Sequence, residues 1–326
     1  MEPRTGVEEG VGLTALMVAA ARAIETHRAD SLARDPYAEH FVRAAAASAG
    51  WPTHPEEVPE GDDNPLWGRL GRYFGLRTRV FDDFLLSSAR SGVRQVVLLG
   101  AGLDTRALRL GWPPGQTIYE LDREGVMAFK HGVLERVAAA PAATRRPVPV
   151  DLCDDWSGPL LDAGFDPSLP TAWLAEGLLL YLPPEAERRM IDTIDHLSAP
   201  GSAFAYEIKR GMESPQIRAH PIYPSTRHQT GIDLLALFNT APRPDSAATL
   251  SARGWSTTDT TPFTFTHHHG RGPTPQPHDP LSTNHWIFSS APDPHHPNQR
   301  TAPDDQGQDT KSRADEPPSG LRGVRP

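Results

Sequence analysis

The stretch QVVLLGAGLDT (95–105), followed by TIYELD (117–122), limits what this chain can fold into more than any other part of it. A run of valine and leucine that is apolar on both faces suits a strand buried inside a parallel sheet. It ends in Gly100 and Gly102, which let the backbone turn sharply and leave no Cβ in the path of a ligand. A helix start after Asp104 and a second strand at 117–122 complete the order strand, turn, helix, strand.

The rest of the chain continues that alternation. A helix is expected over 124–138, strands at 146–152 and 171–179, a helix over 184–197 with Pro184 in its first turn, and a strand at 202–208. Upstream, Leu13, Leu16, Met17, Ala20 and Ile24 follow helical spacing over 13–27, and a second helix is expected over 77–91. NHWIFSSA (284–291) reads as a final strand, and THHHGRGPTPQPHDP (266–280) as a loop inside the fold. Alternation of this kind predicts an α/β, doubly wound, mostly parallel sheet covered on both faces. From 291 to 326 there is almost no large apolar residue and proline recurs, so the expected division is a folded domain over 1–290 and a disordered tail over 291–326.

Composition narrows the function. The net charge of −9, with no basic and aromatic patch, argues against nucleic acid as a partner. No apolar run approaches the roughly 18 residues of a membrane span, and the amino terminus is polar, so neither anchor nor signal peptide is expected. Cys153 is the single cysteine, which excludes an internal disulfide and suits a reducing, cytoplasmic compartment.

Ligands of doubly wound sheets bind beyond the carboxyl ends of the strands. Those ends carry acids here. Asp122 lies 20 residues after Gly102, the offset at which a carboxylate can accept both hydroxyls of an adenosine ribose. Asp151-Leu152 is placed to give an adenine ring one polar contact and one apolar wall, and Glu176 closes the fourth strand. A nicotinamide dinucleotide site would use a third glycine where Thr105 stands. Its absence, with a series of acidic strand ends, fits an adenosine ligand lacking pyrophosphate such as S-adenosyl-L-methionine. These features alone leave an NAD-dependent oxidoreductase and other α/β proteins open.

The segments TALMVAAARAIET (14–26), RDPYAEHFV (34–42), RTRVFDDFL (77–85), QVVLLGAGLDTRALRL (95–110), VPVDLCDDW (148–156) and AWLAEGLLLYLPPEAERRMID (172–192) resemble the leucine carboxyl methyltransferase-like family. The likeness is strongest to its actinobacterial S-adenosyl-L-methionine-dependent methyltransferase branch. It runs from about residue 10 to 210 and returns at LSARGW (250–255). The resemblance implies a class I methyltransferase (Rossmann-like) sheet of seven strands, the last antiparallel, with an N-terminal helical cap. It implies that Asp122 holds the ribose, that Asp151 and Leu152 flank the adenine, and that Gly100 and Gly102 form the turn beneath the methionine moiety. By the same resemblance Arg77 pairs with the methionine carboxylate and Glu176 lies near the methionine amine or the methyl donor. The segment 209–285 falls largely outside the likeness.

Plainer readings stand beside these. Asp104 is expected to cap the helix after it, Asp82 and Asp83 to be helix-surface charges, and one of Arg77 and Arg79 to form a surface ion pair. His267, His268 and His269 are expected in a solvated loop rather than on a metal, and no metal is expected. Cys153 reads as a small buried thiol, and Tyr181 as either a substrate contact or core. The implied reaction is O-methylation of a small molecule, such as a polyketide-like or other secondary metabolite. A carboxylate acceptor needs no base, whereas a hydroxyl needs a His, Asp or Glu from 209–285. A catalytically silent adenosylmethionine-binding protein would share the same fold.

Overall fold

A computed structural model describes residues 6–292. In it QVVLL forms strand β1 (Gln95–Leu99), followed by β2 (Thr117–Asp122), β3 (Thr144–Pro149), β4 (Thr171–Ala175), β5 (Ala203–Lys209), β6 (Ser256–Thr260) and β7 (Asn284–Ser290). They form one seven-stranded sheet in the order β3-β2-β1-β4-β5-β7-β6. β1 pairs in parallel with β2 and β4, while β7 runs antiparallel to both β5 and β6. This is the class I methyltransferase order.

Burial alternates along the strands as a two-sided sheet requires. Val96, Leu98, Ile118, Leu174 and Ala205 face one layer, and Val97, Leu99, Tyr119, Leu121, Trp173 and Phe204 the other. Each valine, leucine, isoleucine or phenylalanine among them, fully buried, contributes about 1.5–3 kcal/mol. The first layer is built by α1 (Gly12–His27), α2 (Ala38–Ala44) and α3 (Gly71–Arg90), the N-terminal cap, together with side chains of α5 (Glu124–Arg136), which follows the short α4 (Arg106–Arg109). The second layer carries α6 (Ser157–Asp162) and α7 (Pro184–His196), whose Met190, Ile191 and Ile194 are buried. Beyond β5 come α8 (Pro215–Arg218), α9 (Ile222–Thr230), α10 (Leu234–Leu237), α11 (Ser246–Ala252) and α12 (Pro262–His269).

Several sequence expectations are corrected. The second helix begins at Gly71, not 77, and continues from a π-helical turn at Pro65–Leu70 that Asn64 caps by accepting from the N–H groups of Leu66 and Trp67. The glycines in PLWGRLGRYFG hid this start, and Gly68 has a packing reason: a Cβ there would clash with the Asp62 carbonyl oxygen. β6, one of the seven strands expected, was not located from the sequence because STTDT has no apolar residue. It is an edge strand held by antiparallel pairing to β7. β3 ends at Pro149, earlier than 152, and β4 at Ala175, so Asp151, Leu152 and Glu176 lie in the turns just past their strands. The segment 266–280 is not a loop throughout, since α12 carries His267–His269 in its last turn. The expected tail lies outside the described residues except for Ala291 and Pro292; the Ala291 N–H donates to the Ser202 carbonyl at 2.9 Å.

Candidate functional site

The strand ends enclose a cavity of about 330 Å³. Arg77, Gly100, Gly102, Asp122, Asp151, Leu152 and Glu176, all seven residues singled out from the sequence, line it. Gly100 and Gly102 adopt φ of +65° and +46°, a left-handed turn that L side chains rarely follow. Asp122 closes this turn: its Oδ2 accepts from the Gly102 N–H at 2.6 Å and its Oδ1 from the Arg123 N–H at 2.7 Å. Burial raises the Asp122 carboxyl above its ordinary range, partly offset by these two N–H donors. Each oxygen keeps a further lone pair, so two hydroxyls can still be accepted. Asp151 is exposed and its Oδ1 accepts from the Cys153 N–H at 2.8 Å, beside the buried Leu152. Cys153 is half-buried rather than buried.

The opposite wall is an ionic network that the sequence showed only in part. Arg77 Nε donates to Glu176 Oε1 at 2.9 Å and Nη1 to Glu207 Oε2 at 2.7 Å. The Tyr73 hydroxyl also donates to Glu207, and the Arg77 guanidinium lies 4.8 Å from the Phe74 ring centroid. Arg106 joins Glu176 at 2.8 Å, Asp82 at 2.7 Å, and Asp104. Arg109 completes the set on Asp82 at 2.6 Å. Asp82 is therefore no helix-surface charge but a buried partner of two arginines. Asp83, by contrast, pairs with Arg79 where both side chains are exposed, as one of the two arginines was expected to. Burial pushes the Glu176 carboxyl up, but Arg106 and Arg77 outweigh it and hold it below the ordinary value.

The N-cap of α4 is Thr105, not Asp104, and Thr105 makes no side-chain cap bond; Asp104, one residue earlier, instead accepts from the N–H of the first helical residue, Arg106, at 2.7 Å. Burial would raise its carboxyl, yet Arg106, Lys130 and Arg22 hold it down to about 2. A folded-state pKa below the unfolded value stabilises the fold above the unfolded value and loses that contribution as pH falls through the folded one. Asp104→Asn is therefore expected to flatten the loss of stability between pH about 4 and about 2. Urea midpoints across that range read it; equal slopes in both proteins would refute the assignment.

Glu207 and Lys209, which line the cavity, and Arg106, which holds Glu176 from behind it, were not singled out from the sequence. Glu207 was within reach of the rule that flagged the other acids, since it lies near the carboxyl end of β5. Arg106 stood unassigned inside GLDTR. Lys209 ends β5 and lines the cavity with Tyr181, Tyr223, Phe238 and Asn284, which extend it beyond the strand ends. The stretch 209–285, unmatched in sequence, thus supplies a second, more apolar half. Tyr181 lies at its border, 5.9 Å from Phe238 between ring centroids. Outside the cavity the fold brings His27, Glu39 and His54 together, with potential ligand atoms within 4.8 Å of one another. No sequence spacing marks that group, and His267–His269 are not in it.

A sheet in this order, with a glycine turn answered by an acid at the next strand end, defines a class I methyltransferase. The chain belongs to the leucine carboxyl methyltransferase family, whose model matches residues 15–195. It is 61% identical over 285 residues to a Streptomyces coelicolor protein named "Putative S-adenosyl-L-methionine-dependent methyltransferase", covering 87% of this chain and 94% of that one. A Saccharopolyspora erythraea protein of the same name is 45% identical, covering 76% of this chain and 84% of its own. Among solved structures, a Thermobifida fusca protein described as a "putative methyltransferase" superposes with a TM-score of 0.48 at 15% identity, over 84% of this chain and 94% of that one. No helix among the described residues is long and apolar enough to cross a membrane.

Proposed function

We propose that the chain is an S-adenosyl-L-methionine-dependent O-methyltransferase acting on a carboxyl or hydroxyl oxygen of a small molecule, in the cytoplasm and in secondary metabolism. The observation that carries this reading is Asp122, a cavity-lining carboxylate fixed by the Gly102 N–H at 2.6 Å. An adenosine ribose set there would have Asp151 and Leu152 on its base side and the Gly100–Gly102 turn beneath its methionine side. Arg77 gives Nε and Nη1 to Glu176 and Glu207, so a methionine carboxylate would meet Nη2, and Glu176 would lie near the amine. S-adenosyl-L-methionine supplies an activated methyl group. The protein's part is to hold donor and acceptor collinear in a site closed to water.

The dinucleotide alternative is disfavoured by Asp104. A pyrophosphate needs the free N–H groups of a helix start, and here a buried carboxylate with a pKa of about 2 already occupies the start of the four-residue α4. The single Cys153 supports a reducing compartment. Incubation with methyl-labelled S-adenosyl-L-methionine and a panel of small carboxylic acids and phenols is expected to give acceptor-dependent release of S-adenosyl-L-homocysteine. Acceptor-independent background alone, with oxidation of NADH, would contradict the proposal.

A further inference from the structure

Lys209 is one of three lysines in the chain and the last residue of β5, at the end of the sheet where the other cavity residues gather. Arg22 and Arg77, two of the arginines that line the cavity, are each paired with a carboxylate. Lys209 makes no ion pair among the described residues: its Nζ donates one long hydrogen bond to Thr283 Oγ1 at 3.4 Å and lies 5.8 Å from the Phe238 ring centroid. Glu207, two residues back on the same face of the strand, is committed to Arg77 and Tyr73. An amine left without a counter-ion among aromatic and aliphatic side chains is costly as an ammonium.

Two acceptors could use such a group. A carboxylate acceptor would have to approach Glu207, and the Arg77 guanidinium is committed through Nε and Nη1 to Glu176 and Glu207 and, on the reading above, through Nη2 to the methionine carboxylate. A neutral hydroxyl meets no such repulsion, and Tyr181, Tyr223 and Phe238 offer walls for an aromatic ring. Of the cavity carboxylates, Glu176 and Glu207 are committed to Arg77 and Asp122 to the glycine turn. Burial pushes the Tyr181 hydroxyl up to about 12 and that of Tyr223 well above its ordinary value, and no histidine lines the cavity among the described residues.

We propose that Lys209 is the general base of the reaction, taking the proton of a phenol-type hydroxyl acceptor seated against Phe238, Tyr181 and Tyr223. The assignment rests on the reading that the cavity binds S-adenosyl-L-methionine. The acceptor O–H proton passes to the neutral Nζ as the acceptor oxygen forms the new bond to the methyl carbon. The S–CH3 bond breaks with its electron pair left on sulfur, giving neutral S-adenosyl-L-homocysteine, and the Lys209 ammonium then returns its proton to solvent. Burial lowers the Lys209 pKa to about 8, so the free amine is well populated at mildly alkaline pH. The charged groups that bear on it are Glu207 on its own strand, Arg77 of α3 and Asp279 ahead of β7; Glu207 and Asp279 favour the ammonium and Arg77 opposes it.

The test uses the full chain loaded with S-adenosyl-L-homocysteine and 4-nitrophenol as probe, at a pH below the probe's own pKa. The wild-type protein is expected to bind the probe as its coloured phenolate, and Lys209→Met to show no colour while binding S-adenosyl-L-homocysteine as before. With S-adenosyl-L-methionine and a phenol panel, turnover should rise with pH to a plateau with a midpoint near about 8. Lys209→Met should lower turnover by about 100-fold and remove that rise. Lys209→Arg keeps a cation but cannot act as a base, so it should fail as Lys209→Met does. Full rescue by arginine, turnover that falls with rising pH, or the absence of phenolate colour in the wild type would overturn the proposal. Failure of the wild type to bind S-adenosyl-L-homocysteine would overturn the cofactor reading instead.

Discussion

Replacing Arg106 with methionine is expected to destabilise the protein by about 3–5 kcal/mol. The side chain is 2% exposed and its guanidinium holds Asp82, Asp104 and Glu176 together. Methionine fills much of the volume but leaves these acids facing one another, with Arg77 and Arg109 as the remaining partners. Removing one member of a buried ionic group costs more than the group's net contribution, because the survivors stay desolvated without compensation. Urea unfolding at neutral pH measures the effect. The loss should shrink at low pH, where protonation relieves the stranded carboxylates; a variant as stable as the wild type would show that the network is dispensable. Glu176 is also expected to take up a proton more readily in the variant, since Arg106 is the strongest influence holding its pKa down.

Asp122→Ala is expected to weaken S-adenosyl-L-methionine binding by at least about a hundredfold. The carboxylate would hold two ribose hydroxyls, and hydrogen bonds to a charged group contribute about 1.5–3 kcal/mol each. The same change removes acceptors from the N–H groups of Gly102 and Arg123, so the turn loosens as well. Asp122→Asn separates the two effects: it keeps an oxygen for the Gly102 N–H but loses the charge. Little change in melting temperature for Asp122→Asn, together with a large loss of affinity, is the expected pattern. Retained affinity in both variants would remove Asp122 from the site.

Much of the fold was legible because the informative residues are local. Val96 to Leu99 ended by two glycines, and TIYELD ended by an acid, state a strand and its turn within a few residues. Pro184 and the Met190, Ile191, Ile194 stripe define α7 in the same way. The charge network was not legible, because its members are distant in sequence: Arg77 and Glu207 are 130 residues apart, and nothing in RTRVFDD distinguishes the buried Asp82 from the exposed Asp83. Lys130 and Glu120 are only 10 residues apart, yet nothing in the sequence marked them as a fully buried pair 2.8 Å apart. β6 escaped because an edge strand need not be apolar, and Lys209 because its neighbours Phe238 and Thr283 come from segments far along the chain.

The central claim is that the strand-end cavity takes an adenosine cofactor without pyrophosphate. Calorimetric titration of the purified chain with S-adenosyl-L-methionine, S-adenosyl-L-homocysteine and NADH tests it most directly. The account predicts saturable binding of the two adenosyl ligands, lost in Asp122→Ala, and none of NADH. Binding of NADH with no response to either adenosyl ligand would contradict it.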